Sequence, residues 1–99
     1  MTDKRPWHAH VTVATVVERN GRFLMVQERA EGRTVINQPA GHLDPGESLI
    51  AAAERETREE TGWQVAIQGL IGASLFEAAN GVTYYRTSFF ADALAEIPG

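Results

Sequence analysis

Cysteine is absent from the 99 residues, which excludes a disulfide framework and a thiolate metal centre. No apolar run is long enough to span a bilayer and no signal-peptide pattern is present, so the expectation is a cytoplasmic protein with no membrane partner. Repeats, low-complexity tracts and internal boundaries are missing too. The length allows one domain, residues 1–99, with a modest core that partners would help to stabilise. There is no basic patch of the kind that nucleic-acid binding needs. Thirteen acidic residues stand against nine basic ones, a formal net charge of −4. The excess sits in one place. Between Gly41 and Trp63 six acids meet two arginines, whereas the other seven acids are balanced by seven bases. A local surplus of carboxylates in an otherwise neutral chain points to a cation site.

That stretch reads GHLDPGESLIAAAERETREETGW. Asp44 suits a helix N-cap, Pro45 the first helical position and Glu47 the third position of a capping box. Gly62 suits the residue just past a helix end. A helix over Pro45–Thr61 is therefore predicted, with Ile50, Ala53 and Thr57 as its core stripe and Leu49 at the edge. Glu56, Glu59 and Glu60, spaced i, i+3 and i+4, share a rim beside that stripe. Like charges so close repel, and the helix dipole is negative at this end. Such a rim favours a hard divalent cation with oxygen ligands, Mg²⁺ or alternatively Mn²⁺. The plain alternative is a solvated acidic face.

Met1–Pro6 is polar and expected to fray. His10–Arg19 is rich in β-branched residues and reads as a strand, followed by the hairpin signal Asn20-Gly21. Arg22–Arg29 is the predicted return strand. Its apolar centre, Phe23-Leu24-Met25-Val26, implies burial on both faces. Thr34-Val35-Ile36 reads as a short strand, and Asn37–Ala40 as the lead into the carboxylate stretch. Gln64–Glu77 reads as a strand with a bulge or bend near Gly69 or Gly72. Ala78–Gly81 is a turn, and Val82–Leu94 a long strand. On that strand Tyr84, Arg86, Ser88 and Phe90 share one face, and Tyr85, Thr87, Phe89 and Ala91 the other.

Gly41, Glu47, Arg55-Glu56, Glu59-Glu60 and Gly62, at these spacings, resemble the signature of the Nudix family, G-x5-E-x7-R-E-U-x-E-E-x-G-U. Every charged and glycine position is matched. Thr57 and Trp63 stand where bulky aliphatics are usual, departures that bear on packing more than on chemistry. The resemblance implies an α/β fold, an α/β/α sandwich with a mixed β-sheet, and an enzyme that hydrolyses phosphoanhydride bonds with Mg²⁺. It implies metal ligation by Glu56, Glu59, Glu60 and the backbone carbonyl of Gly41, although a glycine there also suits a tight turn. It pairs Glu47 with Arg55 to orient the carboxylates; the local alternative for Glu47 is the capping box. Arg55 then supports the site without touching substrate. Either Glu56 or Glu59 would serve as general base, activating the water that attacks phosphorus. The generic substrate is a nucleoside diphosphate linked to another moiety.

Arg33, Gln38 and Tyr85 are candidate substrate contacts, with Tyr84, Arg86 and Phe89 as further candidates. Core packing is the alternative for the aromatics. Tyr85 and Arg86 point to opposite faces of one strand, so at most one of them faces substrate. His8 and His10 share a strand face, but no third metal ligand accompanies them.

The runs HVTVATVV and NQPAGHL resemble the NudJ-type phosphatases of the family, which act on nucleoside tri- and diphosphates and on a thiamine-precursor pyrophosphate. A nucleotide pyrophosphatase of the MutT or ADP-ribose type would share every signature residue. A non-catalytic binding domain is the reading from another class. The family's usual last strand and C-terminal helix have no counterpart here, because no second capped helical pattern exists in the chain. One sheet face would then stay open, and the expectation is self-association or a continuation of the polypeptide.

Overall fold

The β-branched run His10–Arg19 forms β1, the spine of a mixed sheet. The computed structural model describes residues 7–98, and the polar lead Met1–Pro6 lies outside them. After β1 come β2 (Arg22–Phe23), β3 (Val26–Ala30), β4 (Arg33–Asn37), β5 (Ala40–His42), α1 (Leu49–Thr61), β6 (Trp63–Glu77) and β7 (Thr83–Glu96). One edge of β1 runs parallel to β7, which pairs antiparallel with β6. The other edge is shared by β5 over Thr12–Ala14 and by β2 over Glu18–Arg19. The β3–β4 hairpin is a separate two-stranded ribbon. Among the described residues no helix is long and apolar enough to cross a membrane.

The fold class is the expected α/β with a mixed sheet. Of the two helical layers of a sandwich, the described residues supply one. α1 packs on the face that carries Val13, Val17, Phe89, Ala91 and Val65, with Ala52 and Ala53 buried against it. Strand alternation puts Tyr84, Arg86, Ser88 and Phe90 on the opposite face, where Phe90 remains 47% exposed. Thr57, the polar substitute in the core stripe, is fully buried, and its hydroxyl donates to the carbonyl of Ala53 at 2.7 Å. This i−4 bond satisfies the group without a partner from the sheet. Trp63 is half-buried beneath the Arg19 guanidinium, 5.5 Å from the ring centre.

Several local expectations need correction. The helix begins at Leu49 and its N-cap is Ser48, whose side chain accepts from the Ala51 N–H at 3.0 Å. Asp44-Pro45-Gly46-Glu47 is instead a turn before the helix. Gly46 has φ +80, and the Glu47 N–H donates to the Asp44 carbonyl at 3.1 Å. Pro followed by a glycine in left-handed conformation is turn chemistry, and it outcompetes the first helical turn. Ile50 is 51% exposed. Ala53 and Thr57 are buried as expected, and Ala52, with Leu49 packed beside it, takes the place expected for Ile50. The predicted strand Arg22–Arg29 breaks at Leu24-Met25, where the Leu24 N–H turns to the Val17 carbonyl. Phe23 is consequently 57% exposed and not buried on both faces. Ala40–His42, where the expected lead-in Asn37–Ala40 meets the carboxylate stretch, is a strand paired with β1. The irregularity expected near Gly69 or Gly72 is present as register shifts at Ile67/Gly69 and Leu70/Gly72. Glu54 of α1 accepts the Ile67 N–H there at 3.1 Å.

Candidate active site

Arg55 is the hub of the carboxylate cluster. Its Nε and Nη2 donate to both oxygens of Glu47, at 2.7 and 2.9 Å. Nη1 donates to Glu56 at 2.7 Å and to Glu59 at 3.2 Å. Nη2 also donates to the His42 carbonyl at 3.0 Å and lies 3.4 Å from Asp44. Hydrogen bonds to Glu47 and then Glu56 push the Arg55 pKa up, so its charge is permanent. In turn the Arg55 hydrogen bond, and next the Asp44 N–H, hold Glu47 below the usual carboxylate range. Glu47 therefore makes both contacts that its position allowed: it closes the turn through the Asp44 N–H at 3.1 Å and clamps Arg55 bidentately.

β5 forms the opposite wall. The Ala40 N–H donates to Glu60 at 2.8 Å. Glu56 lies against Gly41, and a Cβ on Gly41 would overlap its carboxylate. Burial pushes the Glu60 pKa up, with further repulsion from Glu56, Glu28 and Glu59 and partial relief from the Ala40 N–H. Among the described residues no three carboxylate or imidazole groups converge tightly enough to hold an ion as they stand. The reason is visible: Arg55 draws Glu56 and Glu59 to itself, and Ala40 holds Glu60. In kind the donors fit a hard divalent cation. They are all oxygen and mutually repulsive at Glu60, and Glu56 among them lies on a glycine that leaves room for it.

Next to this wall a cleft of about 400 Å³ is lined by Ala14, Met25, Glu28, Gln38, Ala40 and Arg86, among others. A second cleft of about 350 Å³ continues from Ala40 and Arg86 to Thr12, His42, Phe76 and Tyr84. Of the candidate substrate contacts, Gln38 lines the first. Arg33 sits at the start of β4 opposite Ala30 and Tyr85 points to the other face of β7; neither lines either cleft. Arg86 is the residue of the Tyr85/Arg86 pair that faces the clefts, and Phe89 is core. His10 packs edge-on to Tyr84 and near His42, with ring centres 5.7 and 6.3 Å away. Glu28 and His42 escaped the sequence reading. Nothing local marks Glu28, since only the folding back of the β3–β4 ribbon brings it to Glu60. His42 shares a face with Thr12 only through the β1–β5 register.

The comparisons with known proteins agree with this geometry. The NUDIX domain family matches residues 6–96. Phosphatase NudJ of Escherichia coli strain K12 is 44% identical over 80 residues, which is 81% of this chain and 52% of that protein. The chain thus spans about half the length of the curated relatives it matches. A Nudix hydrolase from Nitrosomonas europaea superimposes with a TM-score of 0.87 at 42% identity, over 92% of this chain and 63% of that one. A MutT Nudix hydrolase from Burkholderia pseudomallei gives 0.74 at 25% identity, over 94% and 74%. With the carboxylates of α1 ordered by Arg55 beside Gly41, and the family model covering nearly all of the sequence, the chain belongs to the Nudix family.

Proposed function

We propose that this chain hydrolyses phosphoanhydride bonds of nucleoside di- and triphosphates or related pyrophosphates, in the manner of a NudJ-type phosphatase, with Mg²⁺ as its cofactor. The observation that carries this reading is the Arg55 cluster: one guanidinium orders Glu47 in the turn before α1 together with Glu56 and Glu59 on the helix rim, and Glu56 lies against Gly41. Glu56, Glu59, Glu60 and the Gly41 carbonyl would hold the ion. When bound, Mg²⁺ neutralises phosphate charge and polarises the attacking water. Glu56 or Glu59 would take the proton from the attacking water, and Arg55 orients both carboxylates. Because all five N–H donors of Arg55 bond to carboxylates or a carbonyl of the protein, its role is to position and not to bind substrate. The clefts beside Ala40 receive the rest of the substrate.

The test is a panel of nucleoside di- and triphosphates, ADP-ribose and pyrophosphate monoesters with Mg²⁺, with the phosphorus products resolved. Stepwise orthophosphate is expected. Pyrophosphate or AMP would move the reading to a pyrophosphatase of the MutT or ADP-ribose type, and binding without turnover to a non-catalytic domain. The open sheet face supports a second part of the proposal, that this face is covered by another copy of the chain or by further polypeptide.

A further inference from the structure

A cleft of about 580 Å³ lies apart from the carboxylate rim, and it shares no residue with the clefts beside Ala40. Its apolar side is Val17, Leu24, Trp63 and Ala93, the outer margin of the core cluster that holds Val65 and Ala91. Its polar side is the turn Asn20-Gly21 with Arg19 and Arg22 flanking it. Local chemistry fixes that arrangement. Asn20 and Gly21 both take positive φ, 54 and 78, as the two-residue turn of a hairpin requires. Arg19 and Arg22 thereby become register partners, and strand alternation sets both on the face of Val17.

Like charges directly opposite each other across two strands repel. No carboxylate answers them, because every ion pair among the described residues belongs to Arg55. Glu18, next to Arg19, points to the other sheet face by the same alternation and lines a different cleft there with Asp92. Glu96, the register partner of Trp63, does not line the arginine cleft.

Arg19 is nevertheless held in place. Its guanidinium lies 5.5 Å from the Trp63 ring centre, a cation–π contact that keeps it against the apolar side. Trp63 stands where the family signature has a bulky aliphatic, so this contact belongs to the chain and not to the signature. Two uncompensated guanidinium groups beside a half-buried apolar surface suit a ligand with one anionic end and a hydrophobic body. The guanidinium fork matches a carboxylate, and the apolar side chains take the hydrocarbon out of water.

We propose that this cleft binds an apolar carboxylic acid as its anion, with Arg19 and Arg22 on the carboxylate and Val17, Leu24, Trp63 and Ala93 around the body. The site stands apart from the hydrolase reading, and its test reads binding without Mg²⁺ and without turnover.

The experiment is calorimetric titration of the full 99-residue chain, in metal-free buffer near neutral pH, with naphthylacetate, with its neutral amide and with acetate. Naphthylacetate is expected to bind once per chain. The amide keeps the body and loses the charge, so it should bind about 10-fold or more weakly. Acetate keeps the charge and lacks the body, so it should give no binding heat. Arg19→Gln and Arg22→Gln should each weaken naphthylacetate by about 5-fold or more, and Arg22→Gln should leave the amide as it was. Ala93→Leu, which fills the apolar side, should abolish binding of both aromatic probes, with a thermal melt to show that the fold persists. The two arginines are exposed on a hairpin end, so their variants fold and keep the test decisive if Ala93→Leu does not. The proposal falls if the wild-type chain binds no naphthylacetate at millimolar concentration or if the amide binds as tightly. It falls equally if both arginine variants bind naphthylacetate as the wild type does, which would put the ligand on the open sheet face.

Discussion

Glu56 packs its carboxylate so closely on Gly41 that an added methyl group would overlap it. Gly41 does not take a left-handed conformation, so the close approach alone requires glycine here. The contact ties β5 to the carboxylate rim of α1.

Gly41→Ala is therefore expected to push Glu56 off its position. A stability loss of about 1–3 kcal/mol follows from overpacking. Turnover should fall by roughly 100-fold, as a displacement near 1 Å does to reacting groups. Thermal melts and steady-state kinetics check the two separately. A variant with wild-type turnover would show that Glu56 needs no such seat.

Glu59→Gln and Glu60→Gln are each expected to abolish hydrolysis while the fold persists. Full activity in both at saturating Mg²⁺ would reject these carboxylates as metal ligands. Glu60 carries a further, pH-dependent expectation. Its folded-state pKa is raised above 4.5 by burial and by Glu56, Glu28 and Glu59. A raised carboxylate contributes stability that is fully present below about 4.5 and lost as pH rises through the folded value. In metal-free buffer Glu60→Gln, which keeps the acceptor for Ala40 and removes the charge, should melt higher than wild type at pH 7 and level with it near pH 4. An unchanged difference between the two pH values would contradict this.

Arg55→Ala should lower turnover more than stability, since it releases Glu47, Glu56 and Glu59 together. Glu47→Ala removes both the clamp and the turn contact, so it should lower turnover and also cost roughly 1 kcal/mol of stability. The Glu47/Arg55 double-mutant cycle is expected to be non-additive in turnover. Additive effects would show that the ion pair is not how the site is ordered.

The open face carries Phe90, Phe76 and, at the strand end, Leu94, which is 58% exposed. The radius of gyration is 15.3 Å, against about 13 Å for a compact chain of this size. The 99-residue chain by itself is expected to self-associate and to bind an apolar dye. Light scattering that reports a clean monomer, with no dye bound and a cooperative melt, would mean that this face is tolerated in water.

Much of the fold was legible because it is local. β-Branched density marked β1, and Asn20-Gly21 and Ala78–Gly81 marked turns. Period 2 in Val82–Leu94 separated the helix-facing Thr87, Phe89 and Ala91 from Arg86 and Phe90 correctly. The errors came where two local signals competed. Asp44 and Ser48 both suit an N-cap, and Gly46 in left-handed conformation gave the cap to Ser48. Ile50 looked like core because a hydrophobic stripe has no absolute phase until a sheet lies against it.

The sequence by itself placed three carboxylates, Glu56, Glu59 and Glu60, on one helical rim, because i, i+3 and i+4 are neighbours in any α-helix. Tertiary structure decided what those groups touch. That Glu60 takes the Ala40 N–H, and that Arg86 and Thr12 and not Arg33 or Tyr85 face the cleft, depend on which distant strands lie side by side, and in what register. A shift of one residue in the β1–β7 pairing would break the Thr12–Arg86 match. Register is fixed by the burial of a whole face, a cooperative property of the packed sheet that no single stretch of the chain contains.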